Sequence, residues 1–446
     1  MNNKKCNRRK FIRNSTLAIV GSQIIGREVN GTTSSRENTK TISRIKDYKI
    51  LGKTGFRVSD LAAGAPTNEA VLRAFLESGV NYIDAGEAYE NGNREKIIGR
   101  VLKDFDRKKI FITSKLLEEN GFFKSREDVI ARTRKVLERL ESDYVDCVLI
   151  HGIESTKYLN DPAFHDGMEV MKAEGRVRYT GISCHGSAWI REPEDSLETI
   201  LMTAIDDGRF DVFMMTYNFV NAPVAEKILA VCEEKGIGTV IMKSNPVMLY
   251  QALDNAVRRM EESDRDPGEE YRAWRDRYRD QTDNAREFFR IYDKTTDEEL
   301  IEAAFAYVLS NPGAHTVCLD LKNLTEVEKY VALSGSRLEP AQAIILDNYL
   351  EHYGFLNCRM GCNECEKACP HHLPVNTIMR YNYYFQNKKQ EKEAMQLYAK
   401  LAGKSAGLCE GCAGYCEEAC PYGVNTRRLL SLAHQNLSFN RQHFVS

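Results

Sequence analysis

No excess of charge of either sign marks this chain: 62 lysines and arginines stand against 64 aspartates and glutamates, for a formal net charge of −2. A nucleic-acid partner, which needs a broad basic face, is not expected. Beyond the N-terminal segment there is no run of about 18 apolar residues, so no stable membrane insertion of the mature chain is expected. A disulfide framework is also lacking. Of 13 cysteines, Cys147, Cys184, Cys232 and Cys318 are scattered, Cys6 lies near the N-terminus, and the rest crowd into residues 358–420. Frameworks of disulfides belong to short secreted domains, whereas thiols clustered at fixed short spacing read as metal ligands. What is there is a chain of 446 residues, 42% hydrophobic and 28% charged, which reads as soluble and globular with room for two domains and an appendage.

Residues 1–30 read as a targeting segment. A basic stretch from Asn2 to Arg9 precedes apolar residues between Ser15 and Gly26, too short to span a bilayer and of signal length. Arg8-Arg9-Lys10-Phe11-Ile12 resembles a twin-arginine export signal and implies a periplasmic or cell-envelope location; the plainer alternative is a basic, disordered tail. Residues 31–45, rich in Ser, Thr, Arg and Glu, read as a linker.

From residue 46 to 338, short β-branched runs alternate with longer amphipathic ones. Expected strands are Leu61–Gly64, Val80–Asp84, Ile110–Ser114, Val145–His151, Val177–Ser183, Val212–Thr216, Gly238–Lys243 and Thr316–Leu319. Helical patterns separate them, including 125–140, which opens on Ser125 with Asp128 three residues later and repeats Val129, Thr133, Val136, Leu137 and Leu140. Strands alternating with crossover helices form parallel sheets, and eight such units predict a closed (β/α)8 TIM barrel of the α/β class. Residues 250–300 form a charged insertion between the seventh and eighth strands, either a solvated helical hairpin or a lid over the barrel mouth.

In such a barrel, chemistry gathers at the C-terminal strand ends. There the sequence puts Asp84, Tyr89, Lys115 and His151. A phenol is a poor acid at neutral pH unless a neighbouring ammonium lowers its pKa. Lys115, held by Asp84, is the candidate for that charge, with His151 orienting a carbonyl oxygen beside the phenol. The set suits protonation of a carbonyl oxygen or deprotonation of an alcohol.

Asn81-Tyr82-Ile83-Asp84-Ala85, Tyr89, Ile112-Thr113-Ser114-Lys115, the strand from Asp143 to His151, the run from Glu174 to Ser183, and Tyr217-Asn218 resemble the strand motifs of the aldo-keto reductase family, in order. The resemblance implies catalytic roles for Asp84, Tyr89, Lys115 and His151 and a small carbonyl or alcohol substrate. It also implies an NADP(H) cofactor held by Ser183, Tyr217, Lys243 and Lys322, with Tyr217 stacked on the nicotinamide. The sequence departs from the family where Ser183 is followed by Cys184-His185, where Met214 replaces a glutamine, and where Leu319-Asp320 replaces the Pro-Gly beside the pyrophosphate.

Residues 339–440 carry two quartets: Cys358-x3-Cys362-x2-Cys365-x3-Cys369-Pro370 and Cys409-x2-Cys412-x3-Cys416-x3-Cys420-Pro421. Each is followed by Val-Asn-Thr, at Val375 and at Val424, so two equivalent sites are expected. Three close thiols with a fourth carried off in Cys-Pro is the ligand pattern of two-cluster ferredoxins, in which the fourth cysteine serves the other cluster. Zinc knuckles are the rival reading. The region resembles the ferredoxin-like tail of a subgroup of the same family, implying a small, mainly helical domain with two [4Fe–4S] clusters. Between the quartets, 378–402 reads as helical.

The expected function is an exported oxidoreductase whose barrel reduces a carbonyl or oxidises an alcohol and whose clusters pass electrons, with a redox partner protein as a candidate recipient. The alternatives are an electron-transfer or binding module whose barrel no longer uses nicotinamide, and clusters that only staple the tail.

Overall fold

The computed structural model describes residues 43–438, apart from 119–120, 187–194, most of 246–296, and 387, 389 and 402. The expected export segment and most of the expected insertion at 250–300 lie outside the described residues.

Two short strands that the sequence reading did not anticipate, β1 (Tyr48–Ile50) and β2 (Arg57–Ser59), pair as an antiparallel hairpin. Eight further strands follow: β3 (Leu61–Gly64), β4 (Tyr82–Asp84), β5 (Phe111–Leu116), β6 (Val145–Ile150), β7 (Val177–Cys184), β8 (Val212–Thr216), β9 (Gly238–Met242) and β10 (Thr316–Leu319). They pair in parallel and close in the order β10-β3-β4-β5-β6-β7-β8-β9. The expected barrel is observed. Its strands read as unbroken apolar runs because the interior filling covers one face and the helix layer the other.

Helices α1 (Glu69–Glu77), α2 (Asn93–Leu102), α3 (Arg126–Leu140), α4 (Pro162–Ala173), α5 (Leu197–Asp207), α6 (Ala222–Lys235), α7 (Asp297–Ser310) and α8 (Leu324–Ala332) lie between and after the strands. Helix α3 follows its sequence closely. The Ser125 hydroxyl accepts from the Asp128 amide, and Val129, Thr133, Val136, Leu137 and Leu140 are its buried stripe.

The hairpin closes the N-terminal end of the barrel. Leu51 and Val58 join Tyr82, Phe111 and Val212 in one apolar cluster, and the Tyr179 hydroxyl donates to the Thr54 carbonyl at 2.9 Å. Gly238 is required at this floor, since a Cβ there would sit 2.8 Å from the Leu51 side chain. Access is left to the opposite, C-terminal rim.

Past the barrel come α9 (Pro340–Tyr353), α10 (Val375–Gln386), α11 (Glu391–Ala399), α12 (Tyr415–Glu418) and α13 (Thr426–Leu437). The helical stretch expected over 378–402 is built as two helices. Helix α10 ends at Gln386, and the Gln390 amide turns back to donate to the Tyr384 carbonyl at 3.1 Å before α11 starts. The tail and barrel share an apolar seam in which Phe219, Val220 and Ala304 meet Tyr349, Leu356 and Leu429. A second contact lies at Gly186, where a Cβ would come within 2.3 Å of the Gly361 Cα, and the Leu197 amide donates to the Gly361 carbonyl at 3.0 Å. Among the described residues, no helix is long and apolar enough to cross a membrane.

Candidate active site

Strand β4 ends on Asp84, and the adjacent β5 carries Lys115 two residues past the Thr113 that pairs with Asp84, on the same rim. The Lys115 ammonium donates to both Asp84 carboxylate oxygens, at 2.5 and 2.6 Å, and to the Ala85 carbonyl at 2.6 Å. All three donors are used in a site only 1% exposed. The Asp84 charge holds Lys115 above the usual lysine range even though burial pulls the other way. A buried pair of this kind is costly to split, because either partner alone is left as an unpaired buried charge.

Tyr89 opens a short 3-10 turn over this pair. Lys115 Nζ lies 4.8 Å from the centre of its ring, and the Tyr89 hydroxyl is 3.5 Å from His151 Nε2. His151 is the first residue after β6; its amide donates to the Leu116 carbonyl at 2.9 Å, which fixes the turn. The four residues expected from the strand ends are therefore brought together. Their acidity differs from expectation in one respect. Burial pushes the Tyr89 hydroxyl up to about 12, with the Lys115 charge pulling down against it. Net lowering of the phenol does not occur in this structure, because desolvation exceeds the effect of an ammonium already committed to Asp84. Burial, then Lys115 and Arg380, push His151 well below the usual histidine range, so its ring is neutral.

The residues expected around a nicotinamide nucleotide fare differently. The Ser183 hydroxyl accepts from the Gly152 amide at 2.9 Å and so braces the turn behind His151. Tyr217 does not face the barrel mouth, which corrects its expected stacking role. Its hydroxyl donates to Glu226 at 3.0 Å and accepts from Asn311 Nδ2 at 3.1 Å, and its ring lies 5.9 Å from that of Tyr307, all in the outer helices. Strand parity explains this: Val212 and Met214 fill the interior while Phe213, Met215 and Tyr217 belong to the outer core. Lys322, expected on a phosphate, donates to both Asp320 carboxylate oxygens at 2.6 and 2.7 Å. Lys243 stays at the rim with a buried ammonium.

Sequence reasoning missed Arg380. It projects from α10 of the tail, is only 2% exposed, donates from Nε to the Tyr384 hydroxyl at 2.9 Å, and acts electrostatically on His151 and His185. Its only sequence signal is an arginine on the packed side of a helix.

The quartets gather in a crossed arrangement. Cys358, Cys362, Cys365 and Cys420 line one cavity together with Asn376 and Glu366. The charges acting on Cys409 include Cys416, Cys369 and Cys412. Each Cys-Pro sulfur accepts an amide from four residues on, Leu373 to Cys369 at 3.5 Å and Val424 to Cys420 at 3.4 Å. Asn376 Nδ2 adds a bond to the Cys358 sulfur at 3.3 Å. Among the described residues no three His, Cys, Asp or Glu side chains form a group sized for one metal ion.

Residues 50–351 match the family model described as the Aldo/keto reductase family. Similar proteins include a probable voltage-gated potassium channel subunit beta from Oryza sativa subsp. japonica, 34% identical over 127 residues, 24% of this chain and 38% of that protein. Methylglyoxal reductase YeaE from Escherichia coli (strain K12) is 32% identical over 133 residues, 30% of this chain and 44% of that protein. The chain thus spans less than half the length of these relatives. The holo form of an aldo-keto reductase from Bacillus halodurans superposes with a TM-score of 0.47 at 22% identity, over 69% of this chain and 96% of that one. With the family model running from the barrel floor into α9, this chain belongs to the aldo/keto reductase family.

Proposed function

We propose that the barrel interconverts a small carbonyl compound and its alcohol, with Tyr89 handling the proton. The supporting observation is the Tyr89 hydroxyl at 3.5 Å from a neutral His151 and over a Lys115 whose charge is fixed by Asp84. In reduction, the phenol O–H is given to the carbonyl oxygen as the carbon gains hydride, and the phenolate left behind is stabilised by Lys115. His151 borders the same oxygen and orients it. Because the phenol is held near 12 and His151 is neutral, reduction should be insensitive to pH across about 6 to 9, whereas alcohol oxidation, which needs the phenolate, should rise with pH. A reduction rate falling tenfold over that interval would point to a different acid.

NADP(H), the family's cofactor, supplies the hydride when bound. The residues present make a poor diphosphate site, since Asp320 stands at the expected position and already holds Lys322. Weak NADPH binding is expected. Asp320→Gly removes a repelling carboxylate and frees Lys322, and should tighten NADPH roughly tenfold, the gain being limited by solvent screening of an exposed pair. Titration calorimetry on anaerobic protein measures both. Absence of binding by either variant favours the second reading, an electron-transfer module whose barrel no longer uses nicotinamide.

The tail is proposed to be a ferredoxin-like domain with two [4Fe–4S] clusters. The donor set fits: eight thiols in two groups of four, half of them buried and half partly buried, with N–H groups aimed at their sulfurs. Clusters bound there would carry single electrons between the barrel and a redox partner protein. The twin-arginine resemblance supports export of the folded, loaded protein to the periplasm or cell envelope; Arg8→Lys with Arg9→Lys should retain precursor in the cytoplasm, and normal export of that variant, followed by fractionation, would remove this part of the proposal.

A further inference from the structure

Lys243 follows β9 with φ of 56°, a left-handed conformation that long side chains rarely take. The backbone is pinned there, since Asn218 Nδ2 donates to the Lys243 carbonyl at 2.9 Å. The side chain ends in a buried ammonium without a hydrogen-bond partner among the described residues, 5.6 Å from the ring centre of Tyr384. Burying an ammonium unpaired is unfavourable, and strained backbone that presents one is kept where it is used.

The surroundings make that burial worse. Burial itself, then Arg380 and Lys388, push Lys243 well below the usual lysine range. Arg380 and Lys243 also act on His185, and Arg380 acts on His151. The two cations meet on one ring: Lys243 Nζ and the Arg380 guanidinium lie 5.6 and 5.2 Å from the centre of Tyr384. Asp84 is committed to Lys115, and the buried Glu154 acts with Arg380 on Cys184 and Tyr381.

We propose that Lys243 and Arg380 form a receptor for an anionic group of the substrate, so that the barrel acts on a carbonyl or alcohol bearing a carboxylate next to the reacting carbon. An entering carboxylate supplies Lys243 with its missing acceptor and relieves the repulsion from Arg380. A planar guanidinium beside a compact ammonium suits a carboxylate, with two oxygens to share. The receptor adjoins His151 and His185, whereas the nucleotide phosphate is expected at Lys322, past the end of the neighbouring strand β10, where that lysine is held by Asp320. Because Arg380 comes from α10, whose first turn bonds Cys358 through Asn376, the tail itself completes the substrate site.

This inference rests on the oxidoreductase reading, but its test does not need turnover. Oxamate, an unreactive carboxylate, is titrated calorimetrically into the full-length, cluster-loaded protein and into Lys243→Met and Arg380→Lys. The wild type should bind it, and both variants should bind at least about tenfold more weakly, the loss of a charge-assisted bond. Lys243→Met should also melt no lower than wild type, because it removes an unpaired buried charge, whereas a structural lysine would leave a less stable protein. In turnover, the wild type should prefer glyoxylate to methylglyoxal, and Lys243→Met should lose that preference. Equal oxamate binding by all three proteins, or none by the wild type, overturns the receptor. Weakened NADPH binding with unchanged oxamate binding also overturns it, assigning Lys243 to a nucleotide phosphate. Oxamate binding as expected without any carbonyl reduction sinks the oxidoreductase reading alone.

Discussion

Tyr89→Phe should lower carbonyl reduction by about two to four orders of magnitude while leaving ligand affinity nearly unchanged. The substitution removes one oxygen and keeps the ring that stands over Lys115 and edge-on to His151, whose ring centre is 5.4 Å away. Binding contacts made by the ring survive; only the proton donor is lost. Methylglyoxal, the substrate named for the Escherichia coli relative, is a suitable probe, and single-turnover rates should carry the whole effect. Lys115→Met should reach a similar loss by another route. It leaves Asp84 as an uncompensated buried carboxylate, so it should also destabilise the protein by roughly 3–5 kcal/mol, which Tyr89→Phe should not. A Tyr89→Phe enzyme retaining more than a tenth of wild-type activity would mean that the proton comes from elsewhere.

The barrel and this tetrad were legible because both follow from strand periodicity. A buried parallel strand is an apolar run, and the residue ending it must lie on the rim, so Asp84, Lys115 and His151 could be set side by side from the sequence. The β1–β2 hairpin was not legible, since two three-residue strands leave no period to read. Tyr217 was misassigned for a reason of parity. It follows a strand whose even positions point inward, and a shift of one residue turns a side chain from the site to the helix layer. The Lys322–Asp320 pair lies two residues apart in sequence but depends on a loop conformation that no pattern encodes. Arg380 is the largest omission. It enters the barrel mouth from a helix far along the chain, and only tertiary packing shows that the tail contributes to the rim.

The cysteines give the second large effect, and it tests the crossing directly. Cys420 belongs by sequence to the second quartet, yet it lines the cavity of Cys358, Cys362 and Cys365. Cys369 belongs to the first, yet its charge acts on Cys409 and Cys416. Crossing follows from the chain path: the proline after each fourth cysteine turns the backbone away, and α10 and α13 then pack against each other in one core with Cys365, Cys369, Cys409 and Cys416. Anaerobic wild-type protein should contain about eight irons and little zinc. Cys420→Ala should drop the iron to about four and leave the cluster signal that Cys362→Ala leaves, while Cys369→Ala should match Cys412→Ala. Electron paramagnetic resonance of the reduced proteins distinguishes the two patterns, because the surviving cluster differs. Asn376→Ala, which only removes a bond to the Cys358 sulfur, should keep all the iron and lower the potential of the first cluster. If Cys420→Ala matched Cys412→Ala, the quartets would bind as they run in sequence; stoichiometric zinc without acid-labile sulfide would dispose of the clusters altogether.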